Sequence, residues 1–474
     1  MLYQAYEHQN ALLSPLRALA ALFDLAVGPA DGATVAADCY RAPPWSAAGF
    51  GSGLWQRLSA ACEVLALATL THQRPEFGID EVTVAGRRLP VTEEVALRTP
   101  FGALLHFRKH GAAPQPRVLI VAPMSGHFAT LLRDTVRTML ADHDVYITDW
   151  GNAREAPLAA GRFGLAEYIG HLVAFLDRIG PGGHLMAICQ PCVAALAATA
   201  LMAEDGHPAT PASMVLMAGP IDCRIGPTAV NRLATSRSIE WFERQLIARV
   251  PARYPGAGRR VYPGFVQLSA FMNMNLERHL AAFRGYFADL AAGREAQAAA
   301  TRHFYEEYFA VADLPAEFYL ETVRLVFQEF ALPLGRLRIG GRTVDPRAIR
   351  RTALLTVEGE RDDICALGQT LAAHDLCGRI PLFMKQHYIQ AGVGHYGVFS
   401  GRRWAAKIYP IVRELIQVTE QTGLMLPRPH AGSGGATPRL QFGSDAAMSR
   451  SGSDAAMSRS QAGSGAAGRR PQRG

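Results

Sequence analysis

Four short strand-like runs, all but the second largely apolar and separated by stretches with helical spacing, govern what this chain can fold into. They lie at 117–122, 144–150, 184–188 and 213–218, with helical patterns at 131–140, 165–179 and 193–202 between them. Runs without polar alternation suit strands buried on both faces, and strands alternating with helices imply a doubly wound, mostly parallel sheet with right-handed crossovers. Three more strands are expected upstream, near 82–84, 91–97 and 104–108, with Ala85-Gly86-Arg87-Arg88 as a hairpin turn. From 223 to 350 the alternation stops. Helical patterns at 238–250, 275–292 and 301–332 surround a Pro/Gly/aromatic segment at 254–265, and the whole reads as a largely helical cap inserted between two strands. The rhythm then returns with a strand at 352–357, a helix at 367–376, a strand at 385–390 and a closing helix at 404–420.

The expected division is an N-terminal helical segment (1–78), a first core part (79–222), the cap (223–350), a second core part (351–426) and a tail (427–474). The 1–27 stretch carries apolar residues at helical spacing. It fits a helix packed on the body, with docking on a greasy surface as the sharper reading. In the tail, Gly443 to Ser451 is repeated at once at 452–460. Such a composition cannot build a core and predicts disorder.

The chain is 49% hydrophobic and 19% charged, which supports a substantial core. Its net charge of +7 is not gathered into a basic stripe interleaved with aromatics, so nucleic acid is not an expected partner. No apolar run is long enough to span a bilayer. The cysteines at 39, 62, 189, 192, 223, 365 and 377 have neither zinc-ligand spacing nor the density of a disulfide scaffold. No metal and no cofactor is expected, and a reducing cytoplasm suits the chain.

The candidate chemistry sits where apolar strands end. Cys189 lies between the strand 184–188 and a helix, with Pro191 fitted to the first helical turn. α/β-hydrolases hold their nucleophile on such a turn, with the next backbone N–H aimed at an oxyanion. Here Ala187 and Pro191 replace the glycines of G-x-S-x-G and cysteine replaces serine. Asp362 follows the strand 352–357 and His395 follows 385–390, so the order nucleophile, acid, histidine is that of the α/β-hydrolases. His395 is then the proton carrier and Asp362 its orienting acid, with Asp363 as the rival. The oxyanion donors are expected at Gln190 and at Met124 or Ser125, on a loop that Gly126 makes adaptable. His127 is a candidate for lining the site. Trp241, Tyr262 and Phe265, among the cap aromatics, are candidates for an apolar substrate groove.

Several blocks resemble the intracellular polyhydroxybutyrate depolymerases. They are Ala122-Pro123-Met124-Ser125-Gly126-His127 through Asp134, Ile188-Cys189-Gln190-Pro191, Arg259 to Phe265, Thr356 to Ile364, and Gly394-His395-Tyr396-Gly397 with Phe399 to Trp404. The likeness runs from Met1 to about residue 420. It implies an α/β-hydrolase fold with a cysteine nucleophile, hydrolysis of storage polyester to 3-hydroxybutyrate and oligomers through a Cys-His-Asp set and an acyl-enzyme, and a place at the surface of cytoplasmic polyhydroxybutyrate granules. A homo-oligomer is left open. The alternatives are a polyester synthase-like or coenzyme A-dependent acyl transferase, a granule-coat protein without catalysis, and a thiol–disulfide reductase built on Cys189-Gln190-Pro191-Cys192.

Overall fold

The computed structural model describes residues 2–8, 10–11, 52–274 and 276–423. The expectations for 12–27 and for the repeat tail lie outside the described residues.

Nine strands form one sheet: β1 (Glu81–Val84), β2 (Arg87–Thr99), β3 (Gly102–Lys109), β4 (Arg117–Val121), β5 (Asp144–Trp150), β6 (His184–Ile188), β7 (Ser213–Met217), β8 (Ala353–Gly359) and β9 (Lys385–Gln390). Their spatial order is β1-β2-β3-β5-β4-β6-β7-β8-β9. The β1–β2, β2–β3 and β3–β5 pairs are antiparallel, and every pair from β5 to β9 is parallel. The fold is an α/β-hydrolase: a mostly parallel sheet, doubly wound, with the alternating segment 117–217 at its centre.

The helices follow from local sequence. α1 spans Ser52–Leu67, α2 Arg133–Met139, α3 Leu165–Ile179 and α4 Cys192–Glu204. The Glu167 carboxylate accepts the Gly164 N–H at 2.7 Å and so caps α3, and Gly180 ends it at φ 88°. α4 is buried on every side from Cys192 to Met202. That agrees with its run of Ala, Val, Leu and Met, which leaves no polar face.

The cap lies between β7 and β8. Its helices are α5 (Ala229–Thr235), α6 (Ile239–Leu246), α7 (Gly264–Met274), α8 (Leu276–Ala291), α9 (Glu295–Tyr308) and α10 (Ala316–Thr322). The helix expected over 301–332 is broken. After Tyr308 the chain runs extended, where Val311 N–H donates to Thr71 O and Ala312 N–H to Gly126 O, both at 2.8 Å. Backbone groups committed to core loops in this way cannot close helical turns, and Pro315 blocks a helical path of its own. A helix expected over 238–250 stops at Leu246, because Ala248–Arg249 pairs with Arg260–Tyr262, which pairs in turn with Leu314–Pro315. Of the helix expected at 367–376 only Ala373–Leu376 forms. The closing helix opens with a π-helical segment, Trp404–Ile408, before α11 (Tyr409–Gly423). Pro410 has no N–H to continue an α-helical ladder, which accounts for the altered register.

The described part of the N-terminal helix packs on the body. Tyr6 stacks on Phe265 at 4.2 Å, and the Tyr3 hydroxyl donates to Asp313. Asp313 is the hub of the cap–core junction. Its oxygens accept both Arg154 Nε and Nη2 at 3.1 Å, and Oδ1 also accepts the Gly264 N–H at 2.9 Å. Arg154 and Asp313 are both almost fully buried. Removing one partner strands a buried charge. Asp313→Ala should therefore lower stability by about 3–5 kcal/mol, read as a lower urea midpoint.

Candidate active site

Sheet register brings four strand ends to one rim. Val121 lies beside Ala187, Ile188 beside Met217, Met217 beside Val357, and Gly359 beside Gln390. The turns that follow these strands carry Ser125, Cys189, Asp362 and His395, so all four leave the sheet on its C-terminal side.

Cys189 occupies the turn from β6 into α4 at φ 67°. A left-handed conformation costs a β-carbon-bearing residue about 1–2 kcal/mol. It is held there by Cys189 N–H donating to Met217 O at 2.7 Å and by Cys192 N–H donating to Cys189 O at 3.1 Å. The Cys189 side chain is half-buried, and its sulfur lies within electrostatic reach of the His395 imidazole. His395 Nδ1 bonds Asp362 Oδ2 at 2.8 Å, which leaves Nε2 for the sulfur. Asp362 Oδ1 accepts the N–H groups of Ile364 at 2.9 Å and Cys365 at 2.8 Å. Asp363 is exposed, so of the two neighbouring acids it is Asp362 that meets the imidazole.

Burial disfavours charge on His395, but the Cys189 sulfur and the Asp362 carboxylate outweigh it and hold the imidazole well above its ordinary pKa. A proton is therefore kept between sulfur and carboxylate.

The acid turn rests on Glu358, which the sequence alone did not single out for a role. The buried Glu358 carboxylate accepts the N–H groups of Gly368 at 2.9 Å, Thr370 at 2.7 Å and Leu371 at 3.1 Å. This replaces the helical hydrogen bonds expected over 367–372. Thr370 Oγ1 accepts the Gly219 N–H at 2.8 Å, which fastens the same loop to the turn after β7.

Met124 is buried and Ser125 half-buried on the loop leaving β4, the strand next to β6. Gly126 has φ 91°, and a β-carbon there would stand 2.6–2.8 Å from the Gln267 side-chain amide. Gln267, on α7, is buried, and its Oε1 has no hydrogen-bond partner. Its role at this loop was not legible, because nothing in the sequence links 267 to 126.

The other expected site residues pack differently from one another. His127 is buried and its Nε2 donates to Tyr308 O at 3.2 Å, so it fastens the cap to the loop after β4. Tyr262 is buried and stacked on Tyr319 at 4.0 Å, and Phe265 is buried against Tyr3 and Tyr6. Each of these two rings packs against other rings of the protein. Trp241 is half-buried on α6, edge-on to Phe242 and under the Arg237 guanidinium. Among the described residues, no group of His, Cys, Asp and Glu is arranged to hold a metal ion, and no helix is long and apolar enough to cross a membrane.

Residues 218–420 match the family model described as the PHB (polyhydroxybutyrate) de-polymerase C-terminus. Over that span, which is less than half of the chain, the sequence is similar to the polyhydroxybutyrate depolymerases. The matched span holds the cap, Asp362 and His395, while Cys189 lies upstream of it. No curated protein matches the sequence. Among solved structures, a putative lipase from Acinetobacter baumannii AYE is 13% identical, covering 70% of this chain and 93% of that one at a TM-score of 0.35. A study of carboxylesterases from the thaumarchaeon Nitrososphaera gargenis supplies another, 13% identical over 69% of this chain and 99% of that one at 0.37. DcsB in complex with its substrate analogue is 14% identical over 70% and 99% at 0.40.

Two outcomes test the local physics. Cys189→Gly should remove the left-handed strain and raise stability by about 0.5–1 kcal/mol, measured as a higher urea midpoint. His127 has its pKa lowered to about 4 by burial, only partly offset by its bond to Tyr308 O. The folded state therefore binds fewer protons than the unfolded state between about pH 6.5 and pH 4. Its stabilising contribution is complete above 6.5 and falls by about 2 kcal/mol by pH 5. His127→Gln should make the acid loss of stability measurably shallower.

Proposed function

We propose that this chain hydrolyses the ester bonds of polyhydroxybutyrate storage polyester, with Cys189 as nucleophile, His395 as proton carrier and Asp362 as its orienting acid. The observation that carries the reading is a sulfur on a strained strand-to-helix turn, within electrostatic reach of an imidazole that is itself hydrogen-bonded to a carboxylate, with the imidazole and carboxylate inside the span that matches the polyhydroxybutyrate depolymerase C-terminus.

Each residue has a separate task. The thiolate is the reactive form of cysteine, and an imidazolium beside it stabilises that form. The Cys189 sulfur attacks the ester carbonyl. The N–H of Gln190 and one from Met124 or Ser125 receive the developing oxyanion, each such donor contributing about 3 kcal/mol to lowering the barrier. His395 gives its proton to the departing hydroxyl end of the polymer, leaving a thioester on Cys189. It then takes a proton from water, which attacks the thioester and frees the new carboxyl end. Asp362 keeps the Nδ1–H tautomer and supports the charged ring. The enzyme would work at the surface of polyester granules in the cytoplasm.

The reading is tested by incubating purified protein with amorphous polyhydroxybutyrate granules and measuring released 3-hydroxybutyrate and oligomers. Wild type should release acid and Cys189→Ala should not. Equal release from both would remove Cys189, and polymer growth from 3-hydroxybutyryl-coenzyme A would favour the synthase-like alternative. On a soluble short-chain ester, Asp362→Asn should lower kcat by roughly 10³-fold or more while leaving KM within a few-fold.

A further inference from the structure

The turn that presents Cys189 carries a second thiol that ester hydrolysis does not use. Cys192 opens α4 and is fully buried. Its N–H donates to Cys189 O, closing the four-residue turn 189–192. Such a turn keeps its end Cα atoms within about 7 Å, and a disulfide spans about 4.4–6.8 Å. Cys192 Sγ points beneath the turn, donating to Ala187 O at 3.3 Å and lying 3.6 Å from Met217 O. On its flank stands Gly219, where a β-carbon would lie 2.3 Å from both Cβ and Sγ of Cys192. The bare glycine leaves this sulfur its space.

The two thiols differ in access. Cys189 is half-buried and within electrostatic reach of the His395 imidazole, whereas Cys192 is fully buried, so an oxidant in the site meets Cys189 first. Cys192 is sealed, and burial together with the neighbouring Cys189 sulfur raises its pKa far above the ordinary range, which keeps it from reacting with solvent oxidants on its own. Cys365 is the other buried thiol in electrostatic reach of Cys189, with its sulfur against Thr370 Oγ1 at 3.7 Å.

We propose that Cys189 and Cys192 form a reversible disulfide site that takes a hydroperoxide as oxidant and a dithiol as reductant. The Cys189 sulfur attacks the hydroperoxide: an S–O bond forms, the O–O bond breaks, and the leaving oxygen departs with a proton from His395. The Cys192 sulfur then attacks the sulfenic sulfur. The S–S bond forms, the S–O bond breaks, and hydroxide leaves with the Cys192 proton as water. Two electrons pass from the thiols to the hydroperoxide. The disulfide stops ester chemistry and shields Cys189 from irreversible sulfinic oxidation, and a dithiol returns both electrons. The inference uses the Cys189 of the proposed hydrolytic site, but its readout is the covalent state of the thiols and does not depend on which ester is cleaved.

The test treats the full-length protein with hydrogen peroxide, alkylates the remaining thiols and maps the peptides by mass spectrometry. Wild type should show Cys189 joined to Cys192, and dithiothreitol should restore both thiols together with esterase activity. Cys192→Ser should keep its starting activity, since serine can make the same bond to Ala187 O. After peroxide it should pass to sulfinic acid at Cys189, with recovery by dithiothreitol at least about tenfold lower than wild type. A bond from Cys189 to Cys365, direct passage of wild type to sulfinic acid, resistance of Cys189 to peroxide, or equal recovery in Cys192→Ser would each overturn the proposal. Should Cys192→Ser fail to fold, the wild-type peptide map decides alone.

Discussion

The structure depends on keeping a cysteine in a left-handed backbone conformation between a strand and a helix. That conformation costs about 1–2 kcal/mol, so it persists only where surrounding bonds over-determine it. Here the constraint comes from both sides. β7 receives the Cys189 N–H, α4 donates back to the Cys189 carbonyl, and α4 is itself locked by burial on every face. The reward is position: the side chain stands clear of the sheet, where an imidazole from a strand three places away can meet it.

Much of this was legible. The apolar runs at 117–122, 184–188, 213–218 and 352–357 are buried strands because nothing in them offers a polar face, and length separates them from helices. The ends of those runs marked Cys189, Asp362 and His395 as candidates, and chain order ranked them. The sheet register then accounts for their meeting, since Ile188, Met217 and Val357 are neighbours on adjacent strands.

What escaped the sequence has a physical pattern. Two-residue strands such as Ala248–Arg249 and Leu314–Pro315 are too short to show a period. The break after Tyr308 comes from backbone bonds to Thr71 and Gly126, which no local propensity encodes. Asp313 and Arg154 are 159 positions apart, and each alone reads as a surface charge. Glu358 looks like a strand-end acid, yet its carboxylate replaces a turn of helix in front of the candidate acid. The stacking of Tyr262 on Tyr319 and of Phe265 on Tyr6 joins rings 57 and 259 positions apart, which no local pattern encodes. In each case the deciding contact is long-range and polar or aromatic, and composition does not carry it.

With Cys189 as the proposed nucleophile, a covalent bond to sulfur lies on the reaction path. Rapid quenching in acid during turnover of a 3-hydroxybutyrate oligomer ester, followed by peptide mass spectrometry, tests it most directly. The account predicts a 3-hydroxyacyl thioester on the peptide bearing Cys189, appearing within the first turnover and decaying as substrate is exhausted. Product formation with Cys189 unmodified at every time, or an acyl group carried by another residue, would contradict it.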